Sequence, residues 1–189
     1  SGIANVEIGD SLIATEGAEA LPVLEIEQPT VRMAFGTNTS PFAGKEGEFS
    51  TARHVEERLQ RELLNDVALR VEKAEGDGQF MVSGRGELHL AILIEKMRRE
   101  GYELQVAKPQ VILKEIDGEK MEPYEEVTIE CPEVSSGMVI EKMSKRRAEM
   151  KDMRAENGLV HLQFEIPTRG LIGYRNEFIT DTKGQGILN

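Results

Sequence analysis

The chain has 189 residues, 39% apolar and 30% charged, with a net charge of −11. That length allows two small domains of about 100 residues each. The single cysteine, Cys131, excludes an internal disulfide, no apolar run is long enough to span a membrane, and the acidic total, taken alone, argues against nucleic acid.

The first residues lack a basic region followed by an apolar one, so no signal peptide is predicted and the expected compartment is the reducing cytoplasm. In 1–28, Val6-Glu-Ile-Gly-Asp-Ser-Leu-Ile-Ala alternates around a Gly-Asp turn and reads as a short β-hairpin, the tail of a β-domain whose body lies outside the chain. Val31, Met33 and Phe35 then alternate with Arg32, Ala34 and Gly36 as a first strand. A loop with Pro41, Gly44 and Gly47 follows. Ala52, Val55, Leu59 and Leu63 recur at steps of three and four, which predicts a helix from about residue 50. Leu69 and Val71, then Phe80 and Val82, form a hairpin around Gly76-Asp-Gly78. A second helix is predicted over 86–100 with Leu88, Leu90, Ala91, Ile94 and Met97 inside, stopped by Gly101. Residues 102–106 close the sheet.

Residues 108–122 read as a linker with a turn at Asp117-Gly118. Val127, Ile129 and Cys131 alternate with Glu126, Thr128 and Glu130 as a new first strand, with Cys131 as a small core residue. Ser135 or Ser136 is expected to cap a helix to about 148, with Val139, Ile140 and Met143 inside. A hairpin at Glu156-Asn-Gly158 leads to Val160, Leu162, Phe164 and Ile166, then to a helix from about 170 carrying Leu171, Tyr174 and Phe178. One plan is thus written twice. The expected fold is α+β: two ferredoxin-like βαββαβ modules, 29–107 and 123–189, joined by 108–122 and preceded by 1–28. The last strand is read as cut off at Asn189, which would leave the edge from Glu126 to Cys131 open to pairing and the chain prone to self-association.

Gly84-Arg-Gly86 resembles the start of a dinucleotide fingerprint, but His89 stands at the third glycine position and the unit is antiparallel. The two glycines are read instead as a tight strand-to-helix turn, so Gly86→Val is expected to damage the fold of the first module, a β-branched side chain being poorly accommodated there if φ is positive. Gly44-Lys45 resembles a phosphate loop. Thr39 replaces its first glycine and Glu46 its metal-binding hydroxyl, so a nucleotide site is rejected there. His54, His89 and His161 have no ligand spacing for zinc and are read as three separate structural residues. No carboxylate pair stands out as a general acid and base. The sheet faces expected to be open carry Gln79, Met81, Ser83, His161, Gln163 and Glu165, with Phe80 and Phe164 inward, which disfavours base stacking on the sheet.

The charge is unevenly spread. Lys142, Lys145, Arg146, Arg147, Lys151 and Arg154 stand against only Glu149 and Asp152, so 142–154 is expected to present one basic helix on an acidic body. Lys142, Lys145, Arg146 and Arg147 are the first candidates for RNA phosphate contacts, with Arg169 and Arg175 behind them. No catalytic, cofactor or metal residue is predicted.

Val82-Ser-Gly-Arg-Gly-Glu-Leu-His-Leu90 resembles the third domain of translational GTPases related to elongation factor G. Lys108-Pro-Gln-Val111 resembles the segment leaving that domain, and Glu122-Pro-Tyr-Glu with Ile166-Pro-Thr-Arg-Gly-Leu-Ile-Gly173 resembles its fifth domain. With only about fifteen residues between the modules, and with Asn38-Thr-Ser-Pro-Phe-Ala-Gly and Arg169-Gly-Leu-Ile-Gly-Tyr-Arg, the whole chain resembles the TypA/BipA family of bacterial ribosome-associated GTPases. The resemblance implies a role in large-subunit assembly and growth under stress, with ribosomal RNA and ribosomal proteins as partners and no membrane. It also implies that GTP and Mg belong to a preceding domain, that 1–28 closes a second, barrel domain, and that this stretch hydrolyses no GTP. The competing reading is a free-standing regulatory pair binding a small ligand.

Overall fold

The computed structural model describes residues 11, 28–41, 43–45, 47–74, 76 and 78–189, so the hairpin expected in 6–14 and the barrel tail in 1–28 lie outside the described residues. The chain divides into two compact units between Pro109 and Gln110.

Unit one runs β1 (Val31–Thr37), α1 (Ala52–Leu63), β2 (Arg70–Lys73), β3 (Gln79–Gly84), α2 (Glu87–Arg99) and β4 (Leu104–Val106). Its sheet order is β2-β3-β1-β4 with every one of these pairs antiparallel, the ferredoxin-like arrangement expected. The period-two pattern of β1 buries Val31, Met33 and Phe35 against Val55 and Leu59 of α1 and Leu90, Leu93 and Met97 of α2. Thr51 caps α1 by accepting the His54 amide at 3.3 Å. Two expectations shift in α2. Leu88 and Ala91, expected inside, are exposed, and Leu93 is buried instead. The buried line is Leu90, Leu93, Met97, one helical face, and Leu88 and Ala91 sit off it. Gly101 ends the helix at φ 88°. The closing strand begins two residues late because Tyr102 first forms a parallel bridge with Phe49.

A short strand, β5 (Gln110–Val111), and a hairpin, β6 (Lys114–Ile116) and β7 (Glu119–Met121), occupy the predicted linker. Asp117 and Gly118 both have positive φ, as a two-residue hairpin turn requires.

Unit two runs β8 (Tyr124–Pro132), α3 (Glu133–Lys145), β9 (Glu149–Glu156), β10 (Leu159–Pro167), α4 (Thr168–Leu171), α5 (Tyr174–Asp181) and β11 (Ile187–Leu188). Its order is β11-β8-β10-β9, again antiparallel. The core joins Val127, Ile129 and Cys131 to Leu162, Phe164, Met143, Tyr174 and Phe178. Burial raises the Cys131 thiol pKa, as expected for a core cysteine. Three corrections follow. Helix α3 starts after extended Pro132, so Ser135 and Ser136 lie inside it, buried, and their hydroxyls bond the carbonyls of Asp181 and Glu133. The last helix is broken in two, because Ile172 is extended and Gly173 is left-handed at φ 74°. The final strand does pair: Ile187 and Leu188 lie against Glu130 and Ile129, and Asn189 exchanges two bonds with Thr128. The pairing covers Thr128 to Glu130, within the edge expected to stay open from Glu126 to Cys131.

Candidate nucleic-acid interface

The predicted basic helix ends early. The chain leaves α3 at Arg146, where the Arg147 amide bonds the Ser144 carbonyl and the Ala148 amide reaches back to Met143, both at 3.0 Å. This is a Schellman turn, and its left-handed position, at φ 70°, is Arg147. Glycine is the usual occupant there. Its absence hid the helix end, so the helix was expected to run on to about 148. Lys151 and Arg154 lie on β9 instead, paired to Glu149 and Glu165 and to Asp152.

Of the six predicted phosphate contacts, two are held inside the unit. Arg146 donates from Nη1 to the carbonyls of Gly170 (2.8 Å) and Ile172 (3.2 Å) and from Nη2 to Glu177 (2.7 Å). Its guanidinium lies 5.1 Å from the Tyr174 ring centroid. It thus ties the end of α3 to the α4–α5 break. Gly170 makes the approach possible, since a Cβ there would stand 2.5 Å from the Arg146 carbonyl oxygen. Lys142 hydrogen-bonds Asp181 Oδ1 at 3.0 Å, with Oδ2 at 2.7 Å as an ion contact without hydrogen-bond alignment. Hydrogen bonding to Asp181 holds the Lys142 ammonium above its ordinary range. Tyr174 is wholly buried and its hydroxyl pKa is pushed up to about 12, chiefly by desolvation.

Lys145 and Arg169 are exposed but paired, Lys145 to Glu141 at 2.5 Å and Arg169 to Glu122 at 2.7 and 3.2 Å. Exposed pairs of this kind break at little cost when a phosphate competes. Arg147 and Arg175 are exposed, and among the described residues neither side chain has an intramolecular partner. Both stand at the helix ends that Arg146 ties together.

In unit one the strand-to-helix turn is tight at a different glycine from the one expected. Gly86 has φ 177°, which is ordinary extended backbone, and a Cβ there would meet nothing. At Gly84 a Cβ would stand 2.8 Å from His89 Nδ1 and 3.0 Å from Leu90 Cδ2. His89 closes the turn: Nδ1 accepts the Arg85 amide at 3.2 Å, and Nε2 lies 2.5 Å from Asp66. His54 packs edge-on against Phe49, and His161 faces Glu130 at 3.3 Å, so the three histidines sit apart as read. Asn38 and Gly44 are fastened to buried Glu103, which accepts from Asn38 Nδ2 at 2.6 Å and from the Gly44 amide at 3.0 and 3.1 Å. Sequence reasoning marked the loop but missed the carboxylate 59 residues away that anchors it.

The model for elongation factor G, domain III matches residues 48–108, and that for the elongation factor G C-terminus matches 119–189. The large ribosomal subunit assembly factor BipA of Bacillus subtilis (strain 168) is 54% identical over the whole chain. The factors of the same name from Synechocystis and from Escherichia coli K12 are 52% and 51% identical, also over all of it. The chain spans about a third of the length of these relatives, 31–32%. A crystal structure of a Thermus thermophilus protein superposes on 92% of this chain and 42% of its own, with a TM-score of 0.53 at 15% identity, which shows a shared fold.

Proposed function

Because this chain belongs to the BipA family, related to elongation factor G, we propose that it is a ribosome-docking stretch of such a factor, seated on the large subunit through ribosomal RNA phosphates and neighbouring ribosomal proteins in the cytoplasm. The supporting observation is the pair of exposed guanidinium groups, unpartnered among the described residues, of Arg147 at the end of α3 and Arg175 at the start of α5, the two ends that Arg146 ties together. Arg147 keeps a left-handed conformation that costs about 1–2 kcal/mol for a residue with a Cβ. A strained position kept by a charged side chain fits a contact role. Lys145 and Arg169 join once phosphate displaces their acids, whereas Lys142 and Arg146 act as scaffold. GTP and Mg belong to a domain outside this chain, and assembly work is that of the whole factor. Among the described residues no helix is long and apolar enough to cross a membrane.

The test is co-sedimentation with large subunits over a salt series. Two phosphate contacts contribute a log-log slope of about −1.8. Arg147→Gly with Arg175→Ser should remove that part of the slope, while Arg147→Gly alone should stabilise the fold by about 0.5–1 kcal/mol by relieving the turn. An unchanged slope in the double variant rejects these arginines as the contact.

A further inference from the structure

The register of sheet one places Arg32 and Arg70 on either side of Ser83: Arg32 pairs with Ser83 across β1 and β3, and Arg70 pairs with Ser83 across β2 and β3. All three stand on the sheet face away from the helices, since Val31, Met33, Val82 and Phe80 take the buried parity. The arginines are two strand spacings apart, about 10 Å. Only a serine hydroxyl stands between them, so both long side chains have room to lean together over Ser83. Among the described residues neither arginine is ion-paired, and the Ser83 hydroxyl has no intramolecular partner. Both guanidinium groups are exposed. Within this row neither arginine stands opposite a carboxylate, since the residue between them is Ser83.

An oxyanion would be met by both charges at once. Two planar guanidinium forks and a hydroxyl donor match the oxygens of one phosphate. Glu72 follows on the same face, one row along beside Met81, and bars a second anion from stacking next to the first. Beyond it the face turns apolar and amide-bearing, with Ala34, Gly36, Gln79 and Gln105 lining a hollow of about 170 Å³. The hollow lies four residues along the strand from Ser83, about 13 Å. We propose that the Arg32–Ser83–Arg70 row is a phosphodiester-binding site, through which module one makes an RNA backbone contact separate from the Arg147 and Arg175 turns. The site rests on the RNA-docking reading above and adds a second point of attachment, which fixes orientation where one contact would leave a pivot.

The experiment is a titration of the isotope-labelled chain, followed by amide shifts. The probes are a single-stranded oligoribonucleotide, the same oligomer with uncharged methylphosphonate linkages, and inorganic phosphate. The expected result is that the charged RNA moves the Arg32, Arg70 and Ser83 amides and the uncharged oligomer does not. Arg32→Gln with Arg70→Gln should weaken RNA binding about tenfold at low salt and reduce the salt slope by about 1. Both residues are exposed, so unchanged melting is expected for this variant. If inorganic phosphate moves the row and RNA does not, the site takes a free anion and the proposal is overturned. If RNA binds with the row unmoved and the slope unaltered, this site is refuted while docking through Arg147 and Arg175 stands. If neither RNA nor large subunits bind the parent chain, the docking reading falls and this site with it.

Discussion

Arg146→Lys separates the scaffold role of Arg146 from a phosphate contact. Lysine keeps the positive charge but cannot reach the carbonyls of Gly170 and Ile172 and the Glu177 carboxylate together. At least one charge-assisted bond to a carbonyl is lost, about 1.5–3 kcal/mol. Stacking on Tyr174 weakens by about 0.5–1 kcal/mol. The Glu177 contact is half exposed and adds under about 1 kcal/mol. One retained ammonium contact offsets part of this, which leaves a loss of about 2 kcal/mol. For a domain of this size that lowers the Tm of module two by about 8–16 °C. Calorimetry with hydrogen exchange at the β10 amides reads that module separately. Well below the melting range, RNA affinity should stay within about threefold of the parent because the charge remains. A variant that melts within about one degree of the parent yet binds RNA tenfold more weakly refutes the scaffold assignment and makes Arg146 a contact.

The strand-to-helix turn of module one supplies a paired test. Gly84→Ala forces a Cβ onto His89 and Leu90 and should cost about 1–3 kcal/mol, whereas Gly86→Val should be far milder; urea midpoints that rank the two in the opposite order contradict the assigned tight point. Acid should weaken module one through buried Arg58, which bonds Glu100 at 2.5 and 2.8 Å and Glu62 at 2.7 Å. The hydrogen bond from Arg58 holds the Glu100 carboxyl below its ordinary range. A depressed folded pKa means stability that is present above the unfolded value, about 4.3, and lost as pH falls through the folded one. Melting from pH 6 to pH 2 should therefore drop below about pH 4.5, and Arg58→Met should be less stable at neutral pH but show a shallower acid drop; parallel pH profiles would show that the pair contributes nothing.

Both modules were legible from local pattern. Val31, Met33 and Phe35, like Val127, Ile129 and Cys131, announce half-buried strands by period two, and Val55 with Leu59 announces a helix by period three to four. Repetition of that plan set the topology, since few sheet orders satisfy two helices on one face. Features depending on what lies opposite were not legible. The end of α3 was placed about three residues late because Arg147 adopts a glycine conformation without being glycine. The tight point of the turn fell on Gly84, because His89 and Leu90 fold back over it and leave Gly86 open. The cation cluster was visible as a run of letters. Which of its members are free for RNA depended on Glu177, Asp181 and the carbonyls of Gly170 and Ile172, more than twenty residues along the chain. Secondary structure follows from spacing along the chain, whereas the availability of a charge follows from long-range neighbours that only folding brings within bonding distance.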